Sequence, residues 1–209
     1  MDSGYLNKNI ISAPYSLIRD LTERAEKTKG SITLTIGEPD LQSPKELIEY
    51  ACEYAKTHRL PYTNAGGGEK LRTLVAEHYN KYYGAKTNAN CVTMHIGSME
   101  GLSSILKTML NPDDEVILPV PFFSPYEQIV KIAHGKAVYL DTKKNNFVLK
   151  PKAIEKVITN KTKAILFSNP SNPSGYMLKK EEVDELAEYF VKKNIFIIVD
   201  EIYSAISFY

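Results

Sequence analysis

The 209-residue chain reads as an α/β protein, a three-layer sandwich with a mainly parallel sheet between layers of helix. Three observations carry that expectation. Short β-branched apolar runs alternate with amphipathic stretches along most of the length, the pattern of parallel strands joined by crossover helices. No repeat or low-complexity segment interrupts the alternation. The composition, 43% hydrophobic and 24% charged, is that of an ordinary globular chain, which excludes disordered, collagen-like and disulfide-packed classes.

Taken in order, residues 1–42, with the turn Gly37-Glu38-Pro39-Asp40, are the least regular and are expected to form an N-terminal arm or small-domain segment ahead of a large domain over 43–209. A helix is signalled at Ser43-Pro44-Lys45-Glu46, where a Ser N-cap, a Pro at the first helical position and a Glu at N3 make a capping box. Leu47, Ile48, Ala51, Cys52 and Ala55 then share one face. A second helix follows Gly66-Gly67-Gly68 and ends near Gly84. Its Leu71, Leu74, Val75, His78 and Tyr82 predict a buried side. Strands are expected at 91–96, 115–119, 136–140, 163–167 and 195–199, and helices at 99–110, 124–134, 151–158 and 179–193.

Charge and cysteine usage remove several function classes. Lys+Arg 26 against Asp+Glu 25 leaves a net charge of +1, too little to draw the chain to nucleic acid or an anionic membrane. Cys52 and Cys91 form no C-x-x-C pair and the four histidines lack ligand spacing, so no structural zinc is expected. The start MDSGYLNKNIIS lacks the basic and apolar regions of a signal peptide, and no apolar run reaches the ~18 residues of a membrane span. A cytoplasmic location is expected.

Ligands of open α/β sheets bind at the carboxyl ends of the strands, so the four loops there carry the functional reading. At Gly97-Ser98-Met99-Glu100 a helix start presents free amide donors and partial positive charge, suited to a phosphate, with an ordinary N-cap at Ser98 as the alternative. The loop fails the patterns of dinucleotide and P-loop sites. Pro121-Phe122-Phe123-Ser124-Pro125-Tyr126 offers three aromatics, either as a wall for a flat heteroaromatic ring or as core. Ser168-Asn169-Pro170-Ser171-Asn172-Pro173-Ser174-Gly175 holds two Asn-Pro pairs, whose amides can donate to a ligand and whose prolines stiffen the loop and favour cis bonds. A simple turn is the alternative.

The fourth loop is the most informative. The apolar run Ile195 to Val199 leads straight into Asp200-Glu201-Ile202-Tyr203, placing a carboxylate at the end of a buried strand. An ionised carboxylate there costs several kcal/mol unless a cation or several donors meet it, which points to a cationic partner in the pocket. Tyr203 can present its phenol to the same ligand. Metal binding by Asp200 and Glu201 is the alternative, although adjacent residues of an extended segment face opposite ways and no third ligand is evident.

In this order the loops resemble the fold-type I, class I/II aminotransferases that use pyridoxal 5'-phosphate. The matching pieces are IGEPD (Ile36 to Asp40), YTNAGGGEKLR (Tyr62 to Arg72), GSMEGL (Gly97 to Leu102), NPDDEVILPVPFFSPY (Asn111 to Tyr126), SNPSNPSG (Ser168 to Gly175) and VDEIY (Val199 to Tyr203). The resemblance implies the large domain of that fold, binding the cofactor phosphate through the main chain of Ser98 and Met99 and stacking Phe123 on its pyridine ring. Asn172 and Tyr203 would hydrogen-bond the phenolic oxygen, and Asp200 would pair with the pyridinium nitrogen. Gly37 would lie near the substrate carboxylate, and Asn172 would also bind substrate. Tyr62 would reach the phosphate of a neighbouring subunit, which implies a homodimer.

Two departures from the family pattern stand out. Asp113-Asp114 occupies the place of a usual Gly-Asp pair, and Asp still adopts a left-handed turn. The Schiff-base lysine expected some tens of residues beyond the Asp of the DEIY segment does not occur, since no lysine follows Asp200. The chain is therefore expected to be a truncated form or fragment of an enzyme moving an amino group between an amino acid and a 2-oxo acid, binding cofactor poorly and inactive alone. Alternatives are a carbon-sulfur β-lyase or other enzyme of the same scaffold, and a non-catalytic module.

Overall fold

Apolar runs buried on both sides pair into one parallel sheet. The computed structural model describes residues 3–5, 7–12, 17–37 and 40–207. In chain order the elements are α1 (Lys8–Ile11), α2 (Leu17–Glu26), α3 (Lys45–Thr57), α4 (Glu69–Tyr83), α5 (Ser98–Met109), β1 (Glu115–Val120), α6 (Pro125–Ile132), β2 (Lys136–Asp141), α7 (Pro151–Ile154), β3 (Thr162–Ser168), α8 (Lys180–Lys193) and β4 (Phe196–Asp200). The chain divides into two units, Met1–Tyr15 with Ile96–Tyr209, and Ser16–His95. No helix among the described residues is long and apolar enough to cross a membrane.

In the first unit the strand order is β2-β1-β3-β4, every pair parallel. Alternate residues face opposite layers. Val116, Leu118, Ala164, Leu166 and Ile198 pack with Leu102, Leu106, Tyr126, Ile129 and Val130 of α5 and α6. Ile117 and Ile165 face the other way, against Leu140, Ile154, and Leu186 and Phe190 of α8. These two cores make the three layers expected, and they explain why the strands read as continuous apolar runs rather than alternating ones. After β2 the chain crosses over β1 to reach β3, so the order reverses between β1 and β3 and opens a crevice at their carboxyl ends. In register with each other, Ser168 and Asp200 bring the ends of β3 and β4 side by side. Asp113 adopts φ 69°, the left-handed turn expected of it, and donates its N–H to His134 O.

The second unit departs further from the sequence reading. No capping box forms at Ser43, because Pro44 stays extended (φ −52°, ψ 130°) and itself takes the N-cap position. None of the residues of α3 is buried, and in α4 only Ala76 is, so the apolar faces predicted for both helices meet no core among the described residues. The predicted strand at 91–96 is absent. Ala89–Cys91 makes a 3-10 turn, Val92 N–H bonds back to Ala89 O, and Met94 N–H goes to Gly66 O at 2.9 Å, so the segment is extended without a strand neighbour. Gly67 suits this close approach: its φ is 96°, and a Cβ there would lie 2.5 Å from Met94 Cγ. In the stretch read as irregular, α2 forms a ten-residue helix. The Gly37 turn lies partly outside the described residues, which omit Glu38 and Pro39.

Candidate functional site at the carboxyl edge of the sheet

Three loops and one helix start meet the crevice at the strand ends. Strand β4 ends on Asp200, which is 8% exposed. Its carboxylate accepts from two neutral donors: Tyr126 O–H on Oδ2 at 2.9 Å and Ile202 N–H on Oδ1 at 3.1 Å. No ion pair to Asp200 occurs among the described residues. A carboxylate has room for about four donors, so capacity remains. The acid is thus buried, half satisfied and without a cation of its own fold.

The Asn-Pro loop after β3 stands beside it. Its Asn169–Pro170 and Asn172–Pro173 bonds are cis, as is Val120–Pro121 after β1. Asn169 Oδ1 accepts from Leu178 N–H at 2.9 Å, which commits this first asparagine to the loop. Asn172 instead points its amide at Tyr203, with Nδ2 donating to Oη at 3.2 Å, so the polar ends of these two side chains converge. The Asn172 N–H donates to Ser168 Oγ at 2.8 Å.

The three aromatics after β1 do not form a single wall. Phe122 stacks on Tyr139 with centroids 6.0 Å apart, Tyr126 is buried in the core, and Phe123 meets Tyr126 edge-on at 5.5 Å while remaining partly exposed. Phe122 and Phe123 both stay partly exposed, and Phe122 lines the cleft beside the Asn-Pro loop. Beside Phe123, Ser124 Oγ is the only buried side-chain polar atom without a partner among the described residues.

The start of α5 differs from the N-cap alternative. Gly97 takes the cap position with φ 83° and no side-chain cap bond, leaving Ser98 as the first helical residue. Ser98 and Met99 N–H have no acceptor among the described residues. Met99 also packs its side chain on the core cluster that holds Phe123 and Tyr126. A small cleft of about 30 Å³ on the β2 side of the Asn-Pro loop takes in Ser168 and Asn172 but neither Phe123 nor Asp200, so it adjoins the acid's position without including it. Tyr62, fully exposed, and Gly37, with open space about it, belong to the Ser16–His95 unit.

Two residues escaped the sequence reading. Tyr126 was legible only as an aromatic, and its 74-residue separation from Asp200 leaves no local signal. Ser168 looked like the first residue of a turn, yet its Oγ ties the loop to the acid's neighbour.

The fold and this arrangement define a parallel α/β protein whose polar groups gather where ligands of such sheets bind, the switch point at the carboxyl edge. The chain belongs to the aminotransferase class I and II family, whose model matches residues 29–209. It is 31% identical over 208 residues to an aspartate aminotransferase of Bacillus subtilis, covering 97% of this chain and 53% of the relative. Against an aromatic-amino-acid aminotransferase 2 of Thermococcus litoralis it is 34% identical, with 90% and 49% covered. The crystal structure of an aspartate aminotransferase from Rhizobium meliloti superposes with a TM-score of 0.90 at 28% identity, over 97% of this chain and 52% of that one. The chain spans about half the length of the curated relatives it matches.

Proposed function

We propose that residues 43–209 form the cofactor-binding portion of a pyridoxal 5'-phosphate-dependent aminotransferase, a homodimer that moves an amino group between an amino acid and a 2-oxo acid. The observation that carries this reading is the state of Asp200: buried, held by two neutral donors, with acceptor capacity left over and no cation beside it. Such a group fits a ligand that brings its own positive charge on a flat ring. The rest of the edge fits the same ligand. Free amides at Ser98 and Met99 suit a phosphate, the exposed face of Phe123 suits a ring, and the converging Asn172 and Tyr203 suit a phenolic oxygen.

When bound, the cofactor supplies an electron sink for the bond broken at the substrate Cα. The chain's own work is to keep that sink primed. Asp200 would pair with the ring nitrogen, a charge-assisted contact worth about 1.5–3 kcal/mol. Asn172 and Tyr203 would hydrogen-bond the phenolic oxygen, and Asn172 would also contact substrate. Gly37 at the substrate carboxylate and Tyr62 at a neighbouring subunit's phosphate complete the reading by family resemblance.

Calorimetric titration of the chain with pyridoxamine 5'-phosphate, which needs no lysine, tests the site. Weak, saturable one-site binding that pyridoxamine without phosphate fails to match is expected, and no binding at millimolar ligand overturns the reading. Amino transfer by the whole protein is read as a 2-oxo acid consumed with an amino acid formed. Release of thiol, pyruvate and ammonia in its place overturns the reaction assigned.

A further inference from the structure

Resting on that cofactor site, we infer that Tyr126 is a positioning residue for Asp200, its hydroxyl setting the direction of the carboxylate and with it the strength of its hold on a ring nitrogen. The two groups come from different elements. Tyr126 is the second residue of α6 and 1% exposed, so its hydroxyl has no water to bond and must find a protein partner. It finds Asp200 Oδ2 at 2.9 Å, while Ile202 N–H takes Oδ1 at 3.1 Å. With one donor on each oxygen the carboxylate cannot turn about its Cβ–Cγ bond without breaking one of them. Each oxygen keeps acceptor capacity that no other donor among the described residues takes up.

The donors behind Tyr126 run in one sense. Asn172 N–H donates to Ser168 Oγ, the Ser168 hydroxyl donates to the Tyr126 oxygen, and Tyr126 O–H donates to Asp200. A chain ordered this way ends on the carboxylate, and each bond polarises the next. It also ties the Asn-Pro loop to the acid through buried groups, Ser168 being 6% exposed. Burial, and after it the charge and hydrogen bond of Asp200, push the phenol's pKa up, so Tyr126 remains a donor wherever the carboxylate is ionised. The ring itself is core, packed among Leu102, Leu118 and Ile129, and phenylalanine keeps that packing.

The test separates direction from mere packing by using two ligands: pyridoxamine 5'-phosphate and its 1-deaza analogue, in which a C–H replaces the ring nitrogen. In Tyr126→Phe the dissociation constant for the nitrogen ring rises about tenfold, the equivalent of about 1.4 kcal/mol, and that for the deaza ring changes less than about twofold. Equal weakening of both, or of neither, overturns the inference. Should Tyr126→Phe not fold, Ser168→Ala decides: it lowers the preference for the nitrogen ring by about twofold, and an unchanged preference overturns the role. Should the wild-type chain bind neither ring, the cofactor site fails on its own account, and the positioning role is read without ligand. Hydrogen exchange at the Ile202 amide is then about tenfold faster in Tyr126→Phe, beyond any change at the core amides of β3, and a rate that changes no more than theirs overturns it.

Discussion

Two buried carboxylates sit at opposite ends of the same sheet. Glu115 opens β1 and is 7% exposed; Asp200 closes β4 and is 8% exposed. Neither meets a cation among the described residues, and both accept from neutral groups. Their donors differ in kind. Glu115 Oε2 takes the Thr159 hydroxyl at 2.5 Å, with the Thr162 hydroxyl at 3.5 Å, both from the turn and first residue that begin β3. These are small rotors that tie a turn to a strand. Asp200 is gripped on both oxygens by a rigid phenol and a main-chain amide, beside the switch point rather than opposite it. Depth of burial is the same at the two acids, so depth does not mark a site. What marks it is where the acid sits and how stiffly its donors hold it.

The largest effects that can break this contrast come from removing each charge in turn. Asp200→Asn keeps the shape and loses the charge; it is expected to weaken pyridoxamine 5'-phosphate binding by about ten- to a hundredfold by calorimetry, while urea unfolding changes by under about 1 kcal/mol. Glu115→Ala is expected to do the reverse, lowering the unfolding free energy by about 1–3 kcal/mol with binding within about twofold. Comparable binding losses in both variants would erase the distinction.

A third carboxylate sharpens it. Burial pushes the Glu182 carboxyl up, but the Lys179 N–H, the Tyr176 hydroxyl and the Lys150 ammonium, 3.7 Å away, outweigh this and leave it below the usual value. Its stabilisation is then complete above the unfolded value of 4.5 and drains away as pH falls through the lower, folded one. Glu182→Gln should therefore flatten the loss of stability on the acid side of pH 4.5 in urea titrations and leave the slope above it unaltered. This acid lies in the first turn of α8 and has no part in the proposed ligand site, so its replacement should leave binding untouched. The smallest effect is at Asp113, whose φ of 69° favours glycine: Asp113→Gly should stabilise by at most about 1 kcal/mol. A destabilisation there would mean that the side chain is needed.

The sheet was readable because the central strands β1 and β3 are buried on both faces, which forces unbroken apolar runs such as Glu115–Val120 and Thr162–Ser168. Asp200 was readable as a charge interrupting such a run. Less visible were features fixed by partners distant in sequence. The 91–96 segment has strand composition, but composition cannot tell whether a neighbouring strand is present to receive it. Ser43-Pro44-Lys45-Glu46 carries the letters of a capping box, yet Pro44 stays extended and the helix starts one residue late, at Lys45. The polar helix α2 went unseen, although Leu17, Ile18 and Leu21 hold helical spacing, because so few apolar residues accompany them.

Among the described residues strand β4 pairs only with β3, and its free edge lies beside Phe196 and Ile197, 66% and 37% exposed on opposite faces. A rim of this kind, greasy and with idle amides along it, is a template on which another backbone can zip. Sample concentration therefore becomes a variable in every solution measurement on this chain. A charge set into that rim, as in Ile197→Lys, is the simplest way to keep molecules apart.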